Sequence, residues 1–211
     1  MTDRHEFTTV DSELVYEGKI LALRLDQVSM PGGRTAEREV VEHHGAVAVV
    51  AVDDDGRIVL IEQYRHPLGR RLLELPAGLL DIDGEDHVIA AQRELGEETG
   101  LSAARWSLLI DVAASPGFTD ETVRVFLAEG LSDIDRSAPV DEEADIEIRR
   151  VDVDDAVRMV LAGDIVNASA VSGILTLALV RSQPKLPLRP TDAPWRDLPR
   201  ALERRKGESG R

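Results

Sequence analysis

Three glutamates, Glu94, Glu97 and Glu98, crowd the stretch Arg93-Glu94-Leu95-Gly96-Glu97-Glu98-Thr99-Gly100-Leu101. Residues four apart share one helical face, so Glu94 and Glu98 stack one turn apart and repel each other. A helix that keeps such charges together makes sense if a divalent cation sits over them. Carboxylate oxygens suit hard ions, Mg²⁺ or Mn²⁺. The chemistry such ions serve is phosphoryl transfer, through neutralised phosphate oxygens and an activated water. The plainer alternative is a solvated acidic face that Arg93 neutralises.

The element that positions these carboxylates is legible independently of their charge. Val88, Ala91 and Leu95 recur at helical spacing and predict a face turned to the core. Asp83-Gly84 reads as the turn and cap region before the helix, and Thr99-Gly100-Leu101 as a glycine C-cap with an apolar lock.

Around this helix, residues 13–17 and 20–29 read as strands, the second with Leu21, Leu23 and Leu25 alternating. Pro31-Gly32-Gly33 is a turn, and 37–43 a third extended segment. Residues 45–52 are almost wholly Val and Ala, as in a strand covered on both faces. Asp53-Asp54-Asp55-Gly56 then reads as a solvated hairpin turn before 57–64, in preference to a metal loop. Strands over 106–112, 122–128 and 145–151 and helices over 154–162 and 168–180 complete the pattern. It predicts an α/β (α+β) fold with a mixed sheet packed between helices. Residues 183–211, with Pro184, Pro187, Pro190, Pro194 and Pro199 and a charged end, read as an extended tail, mobile at its end.

A chain of 211 residues with 43% hydrophobic residues can bury a sizeable core. It has no cysteine, which excludes disulfides, thiolate catalysis and Cys-type zinc sites. No apolar run reaches the length of a membrane helix and no signal-peptide pattern opens the chain, so a cytoplasmic protein is expected. A net charge of −15 argues against a nucleic-acid partner. It also requires local cations or metal to draw in a phosphate substrate.

At the glutamate helix the chain resembles the Nudix hydrolase superfamily. That family's pattern is Gly, five residues, Glu, seven residues, Arg-Glu, an aliphatic, any residue, Glu-Glu, any residue, Gly, an aliphatic. Glu85, Arg93, Glu94, Leu95, Glu97, Glu98, Gly100 and Leu101 match it, while Gly78 stands six residues before Glu85 instead of five. The departure lies in the loop ahead of the helix. A gapped match of this length is specific. The resemblance implies an α/β/α sandwich with an additional N-terminal antiparallel sheet. It divides the chain into N-terminal strands over 1–44, a catalytic domain over 45–182 and the tail. It further implies Glu94, Glu97 and Glu98 as metal ligands with the backbone carbonyl of Ala77. Arg93 then either touches phosphate or orients the glutamates, the second being preferred, and Glu85 is structural.

Ser115-Pro116-Gly117-Phe118-Thr119-Asp120-Glu121 has a backbone reading as a Pro-Gly turn. Pro116 also lies fifteen residues after Leu101, where proline marks the ADP-ribose-cleaving branch. With Glu62-Gln63-Tyr64-Arg65 and Glu74-Leu75-Pro76-Ala77-Gly78, the chain looks most like bacterial ADP-ribose pyrophosphatases of actinobacterial type. That likeness implies Mg²⁺ (with Mn²⁺ as alternative), two or more ions per site, and a homodimer that cleaves ADP-ribose to AMP and ribose 5-phosphate. Arg65 would then meet a diphosphate oxygen. Glu74, Pro116, Gly117 and Phe118 join it as substrate contacts. Arg38 and Glu39 either serve the adenine pocket of the other subunit or form a surface salt bridge. The general base is expected in the acidic loop Asp141-Glu142-Glu143, at Glu143 with Glu142 second. His43, His44 and His66 show no metal spacing and are read as surface or satisfied histidines. The rival readings are hydrolysis of nucleotide sugars or dinucleoside polyphosphates, a nucleotide-binding sensor without turnover, and a structural acidic helix.

Overall fold

In the computed structural model, residues 4–135 and 145–209 are described. Three antiparallel strands come first, β1 (Thr9–Glu17), β2 (Leu21–Met30) and β3 (Arg34–His43), in spatial order β1-β2-β3. Gly32 and Gly33 close the β2–β3 hairpin at φ 85° and 77°, a region that side chains avoid. Every residue of β1 is exposed, Val10, Leu14, Val15 and Tyr16 included, and its pairing with β2 is irregular at two places.

The leucine alternation of β2 does not coincide with its most buried side chains. Leu21, Leu23 and Leu25 are half-buried, whereas Ala22 and Asp26 are buried. The covered face is polar because its charges are matched. Asp26 accepts from Arg24 Nε at 3.0 Å and from Ser12 Oγ at 2.7 Å. Glu42 of β3, only 1% exposed, is held by Arg24 and by both nitrogens of an Arg205 fork at 2.8 and 3.0 Å. Burial alone pushes the Glu42 carboxyl up. The hydrogen bonds from Arg205 and Arg24 outweigh that and hold it below the ordinary 4.5.

Arg205 belongs to a helix, α4 (Ala201–Ser209), in the stretch read from sequence as a mobile tail. Leu202 is buried, Arg205 grips Glu42, and Lys206 Nζ lies 3.1 Å from His44 Nε2. Among the described residues of this end, Arg205 and Lys206 have partners and the chain is helical.

The larger sheet runs β10-β5-β4-β9-β8, with two further strands, β6 and β7, paired to β5 and β4. Its members are β4 (Ala46–Val52), β5 (Arg57–Arg65), β6 (Arg70–Glu74), β7 (Ala77–Leu79), β8 (Leu101–Ala113), β9 (Thr122–Asp133) and β10 (Glu147–Asp152). β4 is buried along its whole length and pairs parallel to β9 but antiparallel to β5 and β7, which makes the sheet mixed. Ala46, Ala48, Val50 and Val52 face a core shared with α2 (Val153–Ala162) and α3 (Ala168–Ser182). Strand alternation turns Val47, Val49 and Ala51 to the other face, where α1 (His87–Thr99) packs on β4 and β7. The layers are helix, sheet, helix. Gly173 lets α3 approach closely, since a Cβ there would meet Val50 Cγ2 at 2.8 Å and Leu75 Cδ1 at 3.0 Å. No helix among the described residues is long and apolar enough to cross a membrane.

Two compact units result. One gathers the chain up to Gly45, Ala113–Thr122 and the part from Asp197 onward; the other gathers Ala46–Val112 and Val123–Arg196.

Candidate active site

The site is built where β7 meets α1. After β6, the carbonyl of Pro76 accepts from Val49 N at 2.8 Å and leads the chain into β7. There Ala48 stands opposite Ala77, and Val47 opposite Gly78. Buried Ala90, Ala91 and Leu95 fix one face of α1, while Val88 is half-buried. Complete burial of a leucine such as Leu95 contributes roughly 1.5–3 kcal/mol. The helix starts later than the Asp83-Gly84 pair implied: Gly84 takes the turn at φ 75°, and Asp86 is the N-cap, its carboxylate accepting from Val88 N at 2.9 Å. Gly100 ends it in the left-handed region at φ 68°, its N–H bonded to Gly96 O at 2.9 Å.

Two of the glutamates lie directly on the β7 backbone. Glu98 Oε2 accepts from Ala77 N at 2.9 Å. Glu94 rests on Gly78 so closely that a Cβ there would come 2.0 Å from its carboxyl carbon. Gly78 is therefore a cradle for that carboxylate, a role its place in a spacing pattern does not reveal. Arg93 ties the cluster together. Its Nε and Nη2 reach Glu85 at 3.1 Å each, and Nη1 reaches Glu94 at 2.7 Å and Glu97 at 3.0 Å. The hydrogen bonds to Glu85 lead the effects that raise the Arg93 pKa, so its charge is permanent. Burial pushes the Glu94 carboxyl up, and Arg93 counteracts it while Glu97 and Asp81 add to the rise.

Among the described residues no three carboxylates or imidazoles converge on a single point that would grip an ion unaided. Glu94 and Glu97 lean on Arg93, and Glu98 leans on the Ala77 amide. The donor chemistry nevertheless fits a hard dication: carboxylate oxygens, two of them buried, beside a backbone strand that offers peptide oxygens.

The other sequence candidates fall into two groups. Arg65 and Glu74 belong to the unit that carries α1. Glu74, 2% exposed, holds the Arg65 guanidinium through a two-pronged pair at 3.0 and 2.7 Å. The Glu74 carboxylate is thus turned inward and orients Arg65, whose side chain stays partly exposed.

Arg38, Glu39, Pro116, Gly117 and Phe118 belong to the other unit. Arg38 and Glu39 are exposed on β3, where Arg38 Nη1 donates to the Glu37 carbonyl at 2.8 Å. The Pro116 turn is pinned to β3: Val41 N donates to Phe118 O at 2.7 Å, and His43 N to the Asp120 carboxylate at 2.9 Å. Phe118 itself stays 55% exposed on that loop. Glu142 and Glu143 lie outside the described residues. His43 Nδ1 sits 2.9 Å from the His44 carbonyl, and His66 packs beside Tyr64.

Known proteins resemble this chain over most of its length. Residues 42–170 match the NUDIX domain, and residues 7–41 match the nucleoside diphosphate sugar hydrolase N-terminal domain. The chain is 50% identical to an ADP-ribose pyrophosphatase of Mycobacterium tuberculosis over 204 residues, covering 97% of this chain and 98% of that protein. It is 40% identical to an ADP-ribose pyrophosphatase of Bacillus subtilis over 174 residues, covering 82% and 94% of the two chains. A crystal structure of an ADP compounds hydrolase superposes with a TM-score of 0.76 at 22% identity, over 88% of this chain and all of that one, a likeness of fold. With its matched domain spanning most of the chain and its relatives aligned nearly end to end, this protein belongs to the Nudix hydrolase family.

Proposed function

We propose that this enzyme hydrolyses the diphosphate of ADP-ribose to AMP and ribose 5-phosphate, with Mg²⁺ as the natural ion, Mn²⁺ as a substitute and two or more ions per site. One P–O bond of the diphosphate breaks and water supplies the new oxygen. The observation that carries the reading is the seating of Glu94 and Glu98 on consecutive positions of β7, with Arg93 bridging Glu85, Glu94 and Glu97. Nudix hydrolases work with divalent metal ions, which when bound neutralise phosphate oxygens and acidify water.

In this reading Glu94 and Glu98 hold metal, with Glu97 and the Ala77 carbonyl in support. Arg93 and Glu85 keep the carboxylates oriented. Arg65, steadied by Glu74, meets the diphosphate, and Glu143, with Glu142 as alternative, takes the proton from water. Arg38 and Glu39 serve the adenine pocket of the other subunit, Phe118 lines the ribose side, and Pro116 and Gly117 are further substrate contacts. The apolar side chains displayed by β1 support a homodimer, and the absence of cysteine supports a cytoplasmic setting.

The test is a panel of nucleoside diphosphate derivatives with Mg²⁺, products resolved by chromatography. Selective conversion of ADP-ribose to AMP is expected. Equal turnover of nucleotide sugars would favour the second reading, which the match of residues 7–41 supports.

Gly78→Ala offers a separate check on the cradle. Gly78 is outside the left-handed region, and the clash is with the end of a flexible side chain, so the fold survives. The Glu94 carboxylate is displaced instead, and turnover at fixed metal drops about 10–100-fold. Parental activity in a variant with unchanged melting temperature would remove Gly78 from the mechanism.

A further inference from the structure

We infer that Trp195 is a positioning residue for the glutamate helix, acting on its first turn through His87. The inference rests on α1 being the metal-binding helix. Trp195 lies in the proline-rich stretch, far along the chain from α1 and outside every motif. Its ring meets the His87 imidazole edge-on, with centroids 5.1 Å apart and planes at 87°. His87 is the first residue of α1, next to the Asp86 cap.

The indole is itself held firmly. The Arg124 guanidinium carbon lies 4.6 Å from the ring centroid, and the Arg124 side chain is 1% exposed. Arg124 donates to Asp111 at 2.8 and 3.3 Å and to the Ala193 carbonyl at 2.8 Å. Asp111 also accepts from Arg189 at 2.8 Å, and Leu108 N donates to the Arg189 carbonyl at 3.0 Å. The segment from Arg189 to Trp195 is thereby fastened to β8 and β9 at several points, and a cation on an aromatic face is strongest when desolvated in this way.

The first turn of α1 is where such a buttress matters. No acidic residue lies within that turn, so the Asp86 cap and side-chain packing, the His87 contact with Trp195 included, hold it. Glu85 immediately precedes the cap and takes two hydrogen bonds from Arg93. If the first turn loosens, Glu85 moves, the Arg93 fork loses its anchor, and Glu94 and Glu97 lose their orientation. The path runs Trp195, His87, Glu85, Arg93, then the metal-binding carboxylates.

Trp195 Nε1 is buried and has no hydrogen-bond partner among the described residues. The indole therefore acts through its faces and edges, and Phe should replace it with little loss.

The test uses the full chain and its Trp195→Ala, Trp195→Phe and His87→Ala variants. In Trp195→Ala the Mn²⁺ concentration for half-maximal turnover should rise about tenfold, with kcat at saturating metal within about twofold of parental. Trp195→Phe should restore the parental value. His87→Ala, which leaves the Trp195 pocket filled, should reproduce the defect, and the double variant should add nothing to it. Without metal or substrate, amide exchange at Ala90 and Ala91 should quicken about tenfold in Trp195→Ala, measured against parental chain.

A parental metal requirement in Trp195→Ala, a Phe variant as impaired as Ala, additive losses, or unchanged amide exchange would each overturn the inference. A merely structural tryptophan lowers the melting temperature without moving the metal requirement. Failure of the functional reading looks different, because the parental chain would then show no metal-dependent turnover while the exchange measurement still reports on the buttress.

Discussion

Glu98→Gln lowers ADP-ribose turnover by about 10³-fold while the fold stays intact, the magnitude expected when one fixed charge-stabilising group is lost. Gln has the same length and keeps a carbonyl oxygen, so the hydrogen bond that Glu98 accepts from Ala77 N at 2.9 Å survives. The helix is anchored elsewhere, by Ala90, Ala91 and Leu95 in the core and by Gly100 at its end. What disappears is one negative charge on a buried oxygen, and with it much of the affinity for a dication. Raising Mg²⁺ or Mn²⁺ should recover only part of the rate. The measurements are kcat across a metal titration, calorimetric Mn²⁺ binding and a melting curve. Parental kcat and parental Mn²⁺ binding together would show that the catalytic ion is not held by this turn of helix.

The second large effect concerns stability. Glu42→Ala should cost about 3 kcal/mol, the lower end of the range for breaking a buried ion pair. Both Arg24 and Arg205 lose their shared acceptor, and Glu42 is almost wholly buried. The lower end applies because Arg24 keeps Asp26 at 3.0 Å and the Arg205 side chain remains partly open to water. For a chain of this size the melting temperature should fall by roughly 6–12 °C.

The pH dependence has a definite sign. The hydrogen bonds from Arg205 and Arg24, acting against burial, hold the folded pKa of Glu42 below the ordinary 4.5. Its contribution is therefore complete above about pH 4.5 and is lost as pH falls through the folded value. The parental protein should lose stability more steeply on acidification than Glu42→Ala. A melting temperature within about 2 °C of parental, with parallel acid curves, would show that the network is ornamental.

How much of this was readable from the chain alone depended on how local each signal is. The α1 helix and its carboxylates were legible because Leu95, Gly100 and the Glu–Arg spacing are all encoded within a few turns. The strands β6 and β7 were not identified. At five and three residues they are too short to show a period, and they exist because β5 and β4 offer them partners. The cradle at Gly78 needed the third dimension, since its contact is with Glu94 on another element.

Charged side chains carry structure that a sequence pattern does not display. The leucines of β2 alternate, yet its buried side chains are Ala22 and Asp26, with Arg24 and Glu42 neutralising one another nearby. The charged, proline-rich end looked unbound, yet Arg189, Trp195 and Arg205 all have partners far away in the chain. Ion pairs between distant residues leave no periodic trace. The contacts expected of Arg38, Glu39, Pro116, Gly117 and Phe118 with a nucleotide rested on resemblance, and their backbone setting is what geometry adds.

The outermost ribbon of the small sheet carries a further consequence. Within a single chain β1 offers an unpaired strand margin, with Val10, Leu14, Val15 and Tyr16 exposed. Such margins invite stacking of identical chains into fibres. Asp11, Glu13 and Glu17 punctuate this one, and the two irregularities in its ladder spoil a flat template. Those carboxylates act as gatekeepers against such stacking.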